Sequence, residues 1–174
     1  MSRGLFVSIE GGEGAGKSTV IAAIGDALAA GGREVVTTRE PGGTPEGEAI
    51  RALLLDPART LVPEAELLLM FASRAQLVRS TIATALARGA AVIADRFTDA
   101  SFAYQGGGRG LDAGVIADLE RWAAGLRPDL TFLLDVGVAQ AARSAAAARV
   151  RSLVFMRRAR PASRRPGRCR VDGR

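Results

Sequence analysis

Histidine is absent from this 174-residue chain, and cysteine, lysine, tryptophan and tyrosine occur once each. Without an imidazole there is no Ser-His-Asp chemistry and no usual general base. Cys169 stands alone, which excludes an intramolecular disulfide and a cysteine metal site. Aromatic residues make up 5% of a chain that is 48% hydrophobic, so the core must be mostly Ala, Leu, Val and Ile. No apolar run approaches the roughly 20 residues that span a bilayer. Met1-Ser2-Arg3-Gly4 leads straight into a strand-like run, without a signal-peptide apolar region, so a cytoplasmic protein with no membrane partner is expected. The length suits one α/β domain and is short for two. Any reaction here must run on carboxylates, arginines and one lysine, with or without a metal ion.

The formal charge of +6 hides two unlike segments. Up to residue 142, 12 Arg and Lys17 face 17 Asp and Glu. From residue 143 onward, 11 Arg face Asp172 alone. The first segment is mildly acidic and reads as the folded domain, 1–142. The second, 143–174, reads as an Arg-rich tail, and such asymmetry marks segments that bind nucleic acid or anionic surfaces.

Leu5 to Ile9 is a continuous apolar run ended by Glu10 and a glycine-rich turn. Ile21, Ile24 and Leu28 then recur at helical spacing over Lys17 to Ala30, and Gly31-Gly32 stops the helix. Val35 to Thr38 reads as a second strand, Arg39 to Pro45 as a loop and Glu46 to Leu55 as a short helix. Leu67, Phe71, Ala75, Val78, Ile82 and Leu86 predict one long helix over Glu64 to Arg88. Ala90 to Ala94 predicts a third strand, followed by a helix from near Asp99 that Gly106-Gly107-Gly108 breaks. A helix over Asp112 to Leu126 and a strand over Leu130 to Leu134 complete the domain. Alternating helices and near-continuous apolar strands predict a parallel sheet with helices on both faces. Glu10, Asp95 and Asp135 sit at strand carboxyl ends, where open α/β sheets bind ligands. Val136 to Arg151 has the composition for one more helix. Ser152 to Arg174 shows no usable period and is rich in Arg, Pro, Gly and Ser, a composition that favours disorder.

Gly11-Gly12-Glu13-Gly14-Ala15-Gly16-Lys17-Ser18, followed by Thr19, matches the P-loop pattern between a strand and a helix. Glycines let backbone N–H groups converge on phosphate oxygens, and the helix N-terminus adds its free N–H groups and positive dipole end. Lys17 would bridge the outer phosphates and the Ser18 hydroxyl would ligate Mg²⁺. Every other basic residue is Arg, so a lone lysine at the one motif position that requires it is not compositional drift.

Three further segments sharpen this reading: Thr38-Arg39-Glu40-Pro41-Gly42-Gly43-Thr44, Asp95-Arg96-Phe97 and Ala103-Tyr104-Gln105-Gly106-Gly107-Gly108-Arg109-Gly110. With the P-loop, in this order and spacing, they resemble the bacterial thymidylate kinases over about residues 4–142. The resemblance implies a P-loop nucleoside-monophosphate-kinase fold and transfer of the γ-phosphate of ATP to dTMP with Mg²⁺. It further implies that Arg39 and Arg96 hold the acceptor phosphate, with Asp95 beside the metal and its water shell. Glu13 would contact a sugar hydroxyl, Phe71 would stack on thymine, and Arg74 would donate to a base carbonyl. Ser101 and Gln105 would sit at the base edge, and Tyr104 beneath the sugar, where a ribose 2′-hydroxyl would clash. Read alone, Phe71 also suits a core position, Arg74 and Gln105 a solvated surface, Asp95-Arg96 a strand-terminal ion pair and Tyr104 a core cap. Family members are homodimers, and the helix over residues 64–88 is the candidate surface.

The resemblance stops soon after Leu134-Asp135-Val136, before the family's arginine-bearing lid and its fifth strand and closing helix. Arg143, Arg149 and Arg151 fall near the lid with no acidic partner after them. Ala15 and its neighbours supply no arginine, so turnover is expected to suffer more than binding. The sheet is expected to lack the fifth strand. Residues after about 140 read either as a basic arm or as sequence outside the family's reading frame. Two other functions stay open: an ATP- or dTMP-binding protein without catalysis, and a P-loop protein whose basic tail binds nucleic acid.

Overall fold

The structure is a computed structural model that describes residues 4–135 and the strand at 153–158. Five strands form one sheet in the order β2-β3-β1-β4-β5. They are β1 (Leu5–Gly11), β2 (Val35–Arg39), β3 (Ala91–Asp95), β4 (Leu130–Asp135) and β5 (Leu153–Arg158). The first four are parallel, with β1 at the centre between β3 and β4. β5 runs antiparallel along β4. The expected parallel sheet is therefore present. The parallel part has four strands, short of a fifth as expected; the 152–174 stretch, where no period was legible, adds one antiparallel strand on the β4 edge. The helix expected over Val136 to Arg151 lies outside the described residues.

Register fixes the height of the site. Ile9 pairs with Asp95, and Asp95 with Arg39, so β2 and β3 end level with Ile9, and β1 runs two residues further along β4 to Gly11. α1 (Lys17–Ala30) covers one face, packing Val20, Ile21, Ile24 and Leu28 on Val7, Ile9, Ile93 and Leu134. On the other face Phe6, Val92 and Ala94 meet Leu77, Val78, Ile82 and Ala85. Phe6 and Phe97 stack edge to face at 4.9 Å. Full burial of side chains of this size contributes about 2–3 kcal/mol each, which is how so aromatic-poor a chain sustains a core.

α2 (Pro45–Leu55) starts where Thr44 accepts a hydrogen bond from the Gly47 N–H, with Pro45 at the first helical position. The long helix over residues 64–88 forms, but in three pieces: α3 (Pro63–Leu77), a π-helical turn (Val78–Ile82) and α4 (Ala83–Ala87). The wide turn shifts the buried stripe by a residue, so Leu77 and Val78 are both buried while Ala75 is only half so. α5 (Thr98–Ser101) continues as a π-helical stretch through Phe102–Gly108. The glycine triplet thus lies inside the last wide turn and does not break the helix before it. α6 (Ala113–Leu119) begins where the Asp112 carboxylate accepts from the Gly114 and Val115 N–H groups, and runs on through a π-helical Glu120–Ala124.

Candidate active site

β1 hands over to α1 through the predicted phosphate loop. Gly11 has φ 143°, and a Cβ there would stand 2.6 Å from the Leu134 carbonyl oxygen, so only glycine fits. Gly14 and Gly16 also have positive φ, and Ala15 packs inward. α1 has Gly16 at its N-cap, no side-chain cap and no acidic residue in its first turn. Its first N–H groups are therefore left for an anion. Glu13, Ser18 and Thr19 are exposed around this opening. Lys17 donates to the carbonyls of Gly12 (2.9 Å) and Gly11 (3.3 Å), and its Nζ stands 4.0 Å from Asp95 Oδ1. Burial lowers the Lys17 pKa, and Arg96 lowers it further.

Asp95 Oδ1 is buried and accepts no hydrogen bond. An orphaned carboxylate oxygen beside the P-loop suits a divalent cation, with the Ser18 hydroxyl at the start of α1 as companion ligand. No cluster of three or more His, Cys, Asp or Glu exists among the described residues. Magnesium does not need one, since it keeps several waters and takes one or two carboxylates plus phosphate oxygens. The donor set fits.

The next residue, Arg96, is the one non-glycine among the described residues with positive φ, at 70°. Its guanidinium donates to the Tyr104 hydroxyl at 3.2 Å and lies 5.2 Å above that ring. Tyr104 is half exposed, so it is not a core cap. Arg39, exposed at the end of β2, is paired with Glu48 of α2 at 3.0 Å. The Gly43 N–H, and then Arg39, lower the Glu48 pKa.

The remaining predicted residues meet between α3 and α5. Phe71 is buried in a cluster with Leu67, Ile116 and Ala123, and the Arg74 guanidinium lies 4.4 Å above its ring. The surface alternative for Arg74 is wrong, because it is wholly buried. Its Nε donates to Glu40 at 2.6 Å, Nη1 to Ser101 at 3.1 Å and Nη2 to the Phe97 carbonyl at 3.3 Å. Burial pushes the Glu40 carboxyl up, against the pull of Arg74. Gln105 is buried as well, donating to Glu66 at 2.8 Å and leaving its own carbonyl oxygen without a partner. Arg109 holds the other Glu66 oxygen at 2.9 Å.

A cavity of about 450 Å³ opens between β4 and α5, lined by Glu10, Arg96, Tyr104, Thr131 and Leu133 among others. Glu10, Glu40 and Glu66 are the residues that sequence reasoning left without a role. In the sequence Glu10 shows only as a strand end, and Glu40 only as part of the Arg-Glu-Pro-Gly-Gly segment.

A phosphate loop between the central strand and the first helix, with arginines at the ends of β2 and β3 on one side of it, defines a P-loop nucleoside-monophosphate-kinase type of protein. The comparisons narrow that class. The thymidylate kinase family matches residues 9–159, further than the motifs reach. A thymidylate kinase of Chromohalobacter salexigens is 62% identical over 146 residues, 82% of this chain and 69% of that protein. One from Methylococcus capsulatus is 56% identical over 139 residues, 79% of this chain and 66% of that one. The chain thus spans about two thirds of their length. The crystal structure of thymidylate kinase from Ehrlichia chaffeensis superposes with a TM-score of 0.74 at 36% identity, covering 82% of each chain. The chain belongs to the thymidylate kinase family, whose reaction is the ATP-dependent phosphorylation of dTMP to dTDP.

Proposed function

We propose that this chain moves the γ-phosphoryl group of ATP onto a phosphate oxygen of dTMP, giving ADP and dTDP. The observation that carries the reading is the 4.0 Å approach of the Lys17 ammonium to the orphaned Asp95 oxygen, with Arg96 following directly in the chain. Phosphoryl transfer asks for positioning and positive charge more than for covalent chemistry. The loop amides from Gly11 to Thr19 and Lys17 hold the donor polyphosphate. Arg96 and, once turned from Glu48, Arg39 hold the acceptor phosphate. Phe71, Arg74, Ser101 and Gln105 form the base pocket, and the half-exposed Tyr104 packs under the sugar, with Glu13 at its hydroxyl. Held by Ser18 and Asp95, Mg²⁺ would neutralise charge on the phosphate oxygens.

Ala15 brings no cation to the migrating group, and Arg143, Arg149 and Arg151 lie outside the described residues. Nucleotide binding therefore rests on groups in place here, and turnover is the more sensitive quantity. We place the protein in the cytoplasm; no described helix is long and apolar enough to cross a membrane. Leu68, 59% exposed on α3, supports the homodimer surface expected on that helix.

The test is release of ADP with dTMP as acceptor. The full chain turns over, and Lys17→Ala lowers kcat/KM by about 10³-fold, the order seen when a main charge-stabilising group is removed. Binding of both nucleotides with no ADP formed would convert the reading to a non-catalytic binding protein. Unaffected turnover in Lys17→Ala would end the P-loop assignment.

A further inference from the structure

Arg96 carries the acceptor phosphate in the reading above, yet its backbone holds a conformation that costs a side-chain-bearing residue of order 1–3 kcal/mol. Something must impose it. β1 supplies both restraints: the Ile9 carbonyl accepts the Arg96 N–H at 3.0 Å, and the Glu10 carboxyl accepts the Phe97 N–H at 2.7 Å. The Phe97 carbonyl is held in turn by Arg74. The peptide after Arg96 is thus fixed from one side by the strand that ends in the phosphate loop, and the residue it leads into is fixed from the other by the pair at the base pocket. Glu10 is 5% exposed, an unusual setting for a carboxyl group whose only direct work would be solubility.

We propose that Glu10 is a positioning residue: by accepting the Phe97 N–H it locks the Asp95–Arg96–Phe97 turn and aims Arg96 at the acceptor phosphate. The inference rests on the functional reading above for what Arg96 touches, and on the geometry alone for the lock. It is reach that matters and not charge. A carboxylate, a carboxylic acid and an amide all offer an oxygen to the Phe97 N–H, whereas an aspartate keeps the charge and ends one methylene short.

The experiment uses the full chain with Glu10→Gln, Glu10→Asp and Glu10→Ala, each confirmed as folded by its thermal melt. Two quantities are read: calorimetric binding of dTMP and of ATP with magnesium, and exchange of the Phe97 amide by NMR. Leaving a buried N–H unpaired predicts that Ala and Asp each weaken dTMP binding about tenfold or more while ATP binding stays within about twofold. Gln stays close to the parent for both ligands. The Phe97 amide exchanges about tenfold faster in Asp and Ala than in the parent or Gln. If Ala fails to fold, the Gln and Asp pair decides. Retained binding in Asp with loss in Gln would show that charge matters and overturn the proposal. Equal weakening of ATP and dTMP would reduce Glu10 to a structural role and overturn it too. A parent chain that binds no dTMP would refute the functional reading and the acceptor part of this one, while the amide exchange still decides whether the lock exists.

Discussion

Two arginine–glutamate pairs in this site have opposite environments, and the difference decides what each is worth. Arg74 and Glu40 meet at 2.6 Å with side chains 0% and 2% exposed; Arg39 and Glu48 meet at 3.0 Å with 56% and 42% exposed. Removing one partner of a buried pair strands the other charge without water, which costs about 3–5 kcal/mol. Glu40→Ala should therefore lower the melting temperature by roughly 10 °C, at the 2–4 °C per kcal/mol usual for a chain this long. An exposed pair is screened and side-chain entropy cancels much of its attraction. Glu48→Ala should leave the melting temperature nearly unchanged, and it frees Arg39 for an anion. A calorimetric melt of the two variants separates them; similar losses in both would mean that Arg74 is far wetter than its burial says. The Glu40 pair also explains why Arg74 can sit over Phe71 with three of its N–H groups committed within the protein. Arg74 is thus held rigidly between α3 and α5, in contrast to the exposed Arg39.

At the level of elements, the phosphate loop is the junction on which the sheet closes. A methyl group at Gly11 would press on the Leu134 carbonyl 2.6 Å away, at φ 143°, and push β1 from β4; at Gly12 it would meet nothing within 4 Å. Gly11→Ala is expected to cost about 2 kcal/mol or more in urea denaturation. Gly12→Ala should stay within about 0.5 kcal/mol, and equal midpoints for the two would refute the packing argument. This junction was legible beforehand because a strand, a glycine-rich turn, a lysine and a helix follow one another locally. β1, β3 and β4 were legible as near-continuous apolar runs bounded by turns, and β2 as a short β-branched one. The π-helical turns were not, because five residues of a wider turn hardly disturb a 3.6-residue pattern; they show only as the adjacent buried pair Leu77 and Val78. The surface alternative for Arg74 and Gln105 fails because burial of such side chains depends on partners far along the chain, Glu40 at 34 residues and Glu66 at 39. β5 was missed because its short apolar run, Leu153 to Met156, stands inside a stretch rich in Arg, Pro, Gly and Ser that has no period.

For the whole molecule, one buried carboxyl ties stability to pH in the range where a kinase would be assayed. Burial raises the Glu10 pKa from about 4.5 to about 8, against the hydrogen bond from Phe97, with Asp99 and Glu40 adding to the rise and Arg96 opposing it. Between these two values the folded chain keeps a proton that the unfolded chain has lost. Stability from this group is therefore complete below pH 4.5 and is lost as pH climbs through 8. From pH 7 to pH 9 the loss is about 1 kcal/mol, or ~3 °C in melting temperature. Other groups titrate over the same span, so the parent must be set against Glu10→Gln, which keeps the bond to Phe97 and has no proton to lose. The two melting curves should run together below about pH 4.5, draw apart steadily from there to pH 8 with the Gln variant the more stable, and run parallel above it. Parallel curves from pH 6 to pH 9 would mean that Glu10 ionises at an ordinary pH inside the fold. Its carboxyl would then have to be hydrated through the cavity it lines beside Thr131 and Leu133, and the lock on Arg96 would have to work as an ion and not as an acid.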